Sequence, residues 1–589
     1  MKNLIQMNEE VCHCDKSLFL FYKKVPPIEQ NSMFICRQKG QVLKMKADLI
    51  LYSDAIFDSV KDEPFSGGIA IAGEKILAVG TREEMEAFCG EKTEVRDFGD
   101  KLIMPGFCEA HGHYIMGAQY FSEVACHDME QCRSEQECAD MVEAFAKEHP
   151  EQEVIVGKGW YLSYWGKDAK FPTKDSLDRA VPDRPVFLTS SDVHSLWMNT
   201  KAMELVDLKE RMKDYSEENV LRDENGEPTG VVREKGGDFS YEKEKTKAEI
   251  KKEQKDLAKE MNRFGFTAFS ELSFIEPDAL EETFQYIREL EEEDEWSLRL
   301  YIFPGTHFEA DLLEDIKPYE KMFDSDKLKI CGVKGILDGV TATYTAWMLE
   351  PYLDNPATAG VPAAPPEKLR EWILKVNALG YSARVHCIGD RAVREVLNIY
   401  EESNQVNDAS GLRNAIEHIE IISPEDIPRF GELNVIASMQ PRHQILDKAE
   451  KLIRCGKEKS RYEWPFRSIL DGGAHLALGT DYPVVHFDPY LNIYFGMTKK
   501  DVDGTQYGTQ SLGEVITLAE AIKGYTVEAA YVNSMEHVTG TLEPGKYADI
   551  CVAGKNLFEI PVEEIKDCKN VFTVFNGKIV FDDTESKAL

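Results

Sequence analysis

The chain has 589 residues, 43% of them hydrophobic, enough for a sizeable core and more than a disordered chain carries. Its 69 Lys and Arg against 105 Asp and Glu leave a net charge of −36, which argues against binding to nucleic acid or to an anionic membrane surface. Thirteen scattered cysteines form no Cys-x-x-Cys pair, so no zinc ribbon or thioredoxin motif is expected, and a reducing, cytoplasmic compartment is.

Residues 1–45 show no clear periodicity and are expected to be an over-extended start or a disordered arm. Cys12, His13 and Cys14 cluster there, in a polar setting where such residues are commonly incidental. Glu9, Glu10 and Asp15 leave only Leu18–Tyr22 apolar, which is not a secretory signal. Nowhere does an apolar run reach the ~18 residues of a membrane span.

From Ala47 the pattern changes. Ala47–Tyr52, Gly68–Ala72 and Lys75–Val79 read as short strands around the turn at Gly73. The far end looks alike, with strands at Ala548–Val552, Val571–Phe575 and Lys578–Phe581, the last two joined by Asn576-Gly577. Residues 46–105 and 536–589 are therefore expected to pair into one small β-sandwich.

Between them strands and helices alternate, the signature of a parallel α/β sheet. The strands are Leu102–Phe107 running on to His113, Thr267–Glu271, Leu298–Phe303, Leu328–Lys334, Ala383–His386, Asn414–His418, Val435–Met439 and His475–Asp481. Eight is the number that closes a TIM-type (β/α)8 barrel, here over 106–535. Leu257, Met261 and Phe264, then Leu280, Phe284 and Ile287, then Leu369, Trp372, Ile373 and Val376 repeat at helical spacing, and Gly265 and Gly380 stop two of these runs. The acidic run Glu291–Glu295 reads as a solvated helix end. A barrel needs roughly 250 residues, so the excess, mainly 126–240 with its own strands at Val154–Val156 and Val186–Leu188, reads as an inserted subdomain after strand one.

The chemistry gathers at strand ends. His111 and His113 are two apart at the end of the first strand, where alternation points them the same way and lets both grip one metal ion. Lys334, His386, His418 and Asp481 fall at the C-terminal ends of strands four, five, six and eight, the rim where barrel enzymes keep their catalytic residues. A lysine inside such a strand is costly without a partner.

This set resembles the amidohydrolase superfamily. Its finer wording is similar to the branch of YtcJ-like proteins and N-substituted formamide deformylases. The matching segments are Met104–Phe107 before His111-Gly-His113, Gly159-Trp160, Ser191–His194 leading to Asn199, Val333-Lys334 with Asp338-Gly339, His386–Arg391, Ile416–His418, Gln440-Pro441, Leu478–Asp481 with Pro483, and Thr541–Asp549. The resemblance covers about residues 47–582. Two features depart from it: Tyr482 stands where the branch often has a small residue, and residues 1–45 have no counterpart.

The resemblance implies a carbamylated Lys334 bridging two divalent ions, with Zn²⁺ suited to the N and O donors. His111, His113 and Asp481 would hold one ion, His386 and His418 the other. A metal-bound hydroxide would attack the substrate, with Asp481 as its base. His194 and Trp160, in the insert, would lie by the pocket, His194 as carbonyl-polarising or structural residue and Trp160 as pocket wall. Glu271 reads as support behind the ligands, His443 as a loop residue after strand seven, and Cys108 and Cys387 as packing.

The activity expected is therefore hydrolysis of a C–N bond in an amide, N-formyl or related group of a small molecule, in a protein that can form a homodimer. Deamination of a nitrogen heterocycle is the enzyme alternative, against which Lys334 counts. A non-catalytic metal-binding barrel is the alternative from another class, disfavoured because no residue of the set is lost.

Overall fold

The computed structural model describes residues 35–38 and 41–584, apart from 122–128, 130–131, 167–168, 192–194, 218, 234, 240, 242–244, 274–276, 306–315, 317–319, 321–322 and 448–449. Its centre is a TIM-type barrel of eight parallel strands, each expected from the sequence. Strands one to three are Phe107–Gly112, Phe266–Glu271 and Arg299–Ile302. Strand four comes in two pieces, Leu328–Ile330 and Gly332–Ile336. Strands five to eight are Ser382–Cys387, Ala415–His418, Ile436–Met439 and Leu476–Leu478.

The break at Cys331 divides the ladder into two hydrogen-bonded runs. Single parallel bridges, Gly305 to Lys334 and Gly112 to Tyr482, join the runs and close the ring. At the second junction the Asp481 amide donates to His111 O and the His113 amide to Tyr482 O, both at 2.7 Å. The chemistry-bearing ends of strands one and eight are thus stitched together.

The outer helices follow from local rules. Lys247–Arg263 starts at a capping box in which Thr246 and Glu249 satisfy each other's backbone amides. It buries Leu257, Ala258 and Met261, and Gly265, at φ +89°, takes the left-handed turn that ends it. Pro277–Glu292 follows, and the acidic run at its end is only partly solvated: Glu293 and Glu295 pair with Lys251 and Lys255 of the preceding helix.

Both chain ends meet in one eight-stranded sheet. Its hydrogen-bonded order is Lys578–Asp582, Asn570–Phe575, Ile550–Ala553, Leu102–Pro105, Leu49–Ile56, Phe65–Ala72 and Lys75–Gly80, with Glu94–Asp97 paired beside Leu49–Ile56. The sheet curls back on itself: Ile76 N donates to Lys546 O and Ala548 N to Glu74 O, each at 2.9 Å, beside the strand that begins at Ile550. Asn576 and Gly577 both have positive φ, as the two-residue hairpin requires. A buried ion pair between Arg299 of strand three and Asp549 ties this sheet to the barrel.

Three expectations need correction. Leu102 to His113 is not one strand: at Gly106 the chain leaves the curled sheet for the barrel, with the Gly106 amide bonded to Asp549 O and the Phe107 amide to Gly265 O. A side chain at Gly106 would sit 2.3 Å from Thr267 Oγ1, so the crossing demands glycine. Strand eight stops at Leu478, three residues before Asp481. The stretch 1–45 contains a hairpin, Ile35–Gln38 with Gln41–Lys44, and the Cys12-His13-Cys14 cluster lies outside the described residues.

Between strands one and two lies a second five-stranded sheet, ordered Val220–Arg222, Pro228–Arg233, Ser195–Met198, Val186–Ser190 and Ile155–Trp160. It carries its own core around Trp160, Leu188, Trp197 and Val231.

Candidate metal centre

Barrel closure gathers His111, His113, Lys334, His386, His418 and Asp481 at the C-terminal rim. The approach is tight. Asp481 Oδ1 lies 2.9 Å from His113 Nε2 and 3.5 Å from His111 Nε2. Lys334 Nζ is 3.3 Å from His111 Nε2. The His418 ring centroid is 4.3 Å from that of His386 and 4.8 Å from that of His111.

Backbone strain accompanies this convergence. His418 and Asp481 have φ of +73° and +60°, left-handed values that cost non-glycine residues about 1–3 kcal/mol each. At His418 the strained turn has a visible effect. Alternation would send Glu417 and His418 to opposite faces of strand six, yet both reach His111.

Each of the four histidines also has a partner that holds its ring. His111 Nδ1 is 2.5 Å from Glu417 Oε2, His418 Nδ1 is 3.0 Å from Gln440 Oε1, and His113 Nδ1 is 3.3 Å from Ser273 Oγ. His386 Nε2 lies 3.4 Å from Gly339 O. Glu109 accepts from the His111 amide and from the amide and hydroxyl of Thr480, pinning strand one to the strand-eight loop. Glu271 accepts from the amides of Ile115 and Ser273, the residue whose hydroxyl meets His113.

Burial sets the protonation states. It pushes the imidazoles of His111 down to about 4 and His386 down to about 3, with Lys334 adding to both, and it holds His418 well below its ordinary value. The Lys334 ammonium is pushed down to about 8 by burial, against the pull of Glu417 and Asp481. Burial pushes Asp481 up, but His111 and His113 outweigh it and keep the carboxyl ionised, well below the usual range. Neutral imidazoles and a carboxylate are the protonation states a cation needs.

A divalent ion fits this donor set. Ligand atoms of His111, His113 and Asp481 lie within 4.8 Å of one another, and so do those of His418, His443 and Asp481. Asp481 Oδ1 is buried and makes no well-aligned hydrogen bond despite its histidine neighbours, an orphaned acceptor that a cation would satisfy.

His443 is therefore more than the loop residue expected. It ends the short turn Pro441–His443, is 5% exposed, has Nε2 3.1 Å from Thr480 O, and its ring lies 6.0 Å from that of His418. A histidine directly after strand seven, on the same rim, was the available signal. Glu417 was missed as well; a buried acid beside a candidate ligand was its signal.

Trp160 is not at a pocket wall in this structure. It is 1% exposed in the core of the insert, stacks with Trp165, and donates from Nε1 to Leu188 O at 2.9 Å. His194 lies outside the described residues. Cys108 and Cys387 are buried in separate apolar clusters, consistent with packing. A cavity of about 660 Å³ opens beside the turn holding His443, lined in part by Arg442, Gln444, Trp464 and, from the insert, Arg133 and Tyr164.

Comparison with known proteins places the chain in a family. Residues 94–581 match the model of a family described as "Amidohydrolase family". The chain is 28% identical to Protein Long After Far-Red 3 of Arabidopsis thaliana (87% of this chain, 88% of the relative). It is 24% identical to putative amidohydrolase YtcJ of Bacillus subtilis (91% and 100%) and 21% identical to N-substituted formamide deformylase of Arthrobacter pascens (88% and 95%). Among solved structures, an uncharacterized metal-dependent hydrolase of Pyrococcus horikoshii superimposes with a TM-score of 0.68 at 23% identity, over 87% of this chain and 99% of that one.

Proposed function

The chain belongs to the amidohydrolase family, in the branch of YtcJ and the N-substituted formamide deformylases, and from that premise we propose that it is a metal-dependent hydrolase of a C–N bond in an amide, N-formyl or related small molecule. The observation carrying this reading is the buried Asp481 carboxylate, held well below the usual carboxylate range and with one oxygen lacking a hydrogen bond, beside the imidazoles of His111, His386 and His418, which burial holds below their ordinary value.

His111, His113 and Asp481 would hold one divalent ion, and His418 with His386 or His443 a second. Lys334, carbamylated, would lie between them. The N and O donors suit Zn²⁺. Metal there would polarise a carbonyl and lower the pKa of water.

The chain's residues do the rest. Asp481 accepts the proton of the attacking water and hands it to the leaving nitrogen. Glu109 and Thr480 keep Asp481 in register with strand one. His194 is kept as a substrate contact. A cytoplasmic setting accords with the free cysteines among the described residues, and no described helix is long and apolar enough to cross a membrane.

The test is elemental analysis of protein produced with Zn²⁺ and bicarbonate, together with a panel of N-formyl compounds, simple amides and amino-heterocycles. Two ions per chain and release of acid plus amine are expected. Ammonia released from a heterocycle, with no amide cleaved, would overturn the proposal.

A further inference from the structure

We infer that Glu417 and Arg384 form a buried positioning pair that sets the tautomer of His111, directing its Nε2 lone pair into the site. This rests on the reading of His111 as a metal ligand.

The three side chains form a line across the barrel interior. Arg384 Nε donates to Glu417 Oε1 at 2.6 Å, and Glu417 Oε2 meets His111 Nδ1 at 2.5 Å. Arg384 and Glu417 are 0% exposed and His111 is 1% exposed. A guanidinium only donates, so Glu417 receives Arg384 on Oε1 and turns Oε2 to the imidazole as an acceptor. With Oε2 as acceptor, the hydrogen between the two is placed on Nδ1. Only Nε2 is left with a lone pair, and it faces Lys334 Nζ and Asp481 Oδ1.

Orientation is held from further back. Arg384 Nη2 donates to Ala110 O at 2.7 Å and to Ser438 Oγ at 3.0 Å. Strand five thereby grips the residue just before His111 and reaches strand seven. Other site histidines have weaker partners: an amide oxygen for His418, a hydroxyl for His113 and a backbone carbonyl for His386. A carboxylate partner makes an imidazole a stronger donor, and such partners are worth about 10–100-fold in metal affinity. His111 would therefore be the strongest of the imidazole donors.

A purely structural ion pair behaves differently. Well-packed apolar residues of similar volume can replace it with little loss or even a gain in stability. The decisive variants are thus Glu417→Gln and the double variant Glu417→Leu/Arg384→Met, which leaves no orphaned charge.

Two readouts are needed. The first is ¹⁵N NMR of metal-free, ¹⁵N-histidine-labelled protein, with the His111 signal assigned by its loss in His111→Gln. Wild type should show His111 protonated at Nδ1, and both variants should lose that preference. The second is Zn²⁺ affinity by chelator competition, expected to fall about 10–100-fold in the double variant while its thermal midpoint stays near wild type. A wild-type His111 protonated at Nε2 overturns the proposal, as does a folded double variant with unchanged tautomer and Zn²⁺ affinity. Wild-type protein that binds no Zn²⁺ would refute His111 as a ligand, and the tautomer measurement would still decide whether the pair positions its ring.

Discussion

Removing the Asp549 carboxylate should loosen the join between the barrel and the curled sheet. Asp549 accepts four hydrogen bonds: from Arg299 Nε at 2.6 Å, Arg299 Nη2 at 3.1 Å, the Asn576 amide at 2.9 Å and Thr539 Oγ1 at 3.2 Å. Arg299 is 0% exposed and Asp549 3% exposed, so water cannot replace the lost partner. In Asp549→Ala the guanidinium would keep Asp326 O, Asn576 Oδ1 and the faces of the Tyr547 and Phe575 rings, 3.9 and 5.2 Å away.

Breaking a buried pair from one side costs about 3–5 kcal/mol, because a charge stays buried without compensation. With a urea slope of about 3 kcal/mol/M or more for a chain this size, the midpoint should fall by roughly 1 M. Tryptophan fluorescence and far-ultraviolet circular dichroism should be followed together, because separate units can unfold separately. Asp549→Leu/Arg299→Met should recover most of the loss, since no charge is orphaned. An Asp549→Ala midpoint within about 0.2 M of wild type, roughly a fifth of that shift, would refute the reasoning that this pair bears on the join.

Asp481→Asn keeps one coordinating oxygen and the shape of the side chain but cannot take a proton; metal content measured by elemental analysis should be largely retained while kcat falls at least ~10²–10⁴-fold, and near wild-type turnover with metal in place would show the assigned base to be wrong. Lys334→Ala should lower metal content and activity together, with partial recovery on adding a short carboxylate such as acetate; full metal content in this variant would contradict a bridging role. Deleting residues 1–44 should leave the thermal midpoint and activity nearly unchanged, because among the described residues the Ile35–Lys44 hairpin pairs only with itself; a large fall in midpoint would oppose this. Trp160→Ala should destabilise the insert by about 3–5 kcal/mol, seen as earlier proteolysis of that segment, and a change in kcat/KM confined to bulky substrates without such loss would return Trp160 to the pocket wall.

Much of the molecule was written locally. Short apolar runs alternating with helical repeats are properties of neighbouring residues, so the eight barrel strands, the capped helices and the hairpin at Asn576-Gly577 could be read before any tertiary contact was known. The same holds for His111, His113, His386 and His418, because a residue at the end of a strand carries its address in the sequence; Lys334, expected at the end of strand four, lies inside its second piece, which runs on to Ile336. Asp481 was found by the same rule, although the ladder ends three residues earlier and the carboxylate arrives on a loop with positive φ.

Closure of the chain decided the rest. Glu417 meets His111 across 306 residues, and the positive φ at His418 brings both strand-six side chains to one side where alternation alone separates them. His443 joins His418 and Asp481 because the turn after strand seven folds inward over Thr480. Trp160 goes to the core of the insert because the Leu188 carbonyl and two other indoles wait for it there. Periodicity reports which way a local backbone points a side chain; it carries no information on which distant side chain will be opposite, and that depends on how the whole ring of strands shuts.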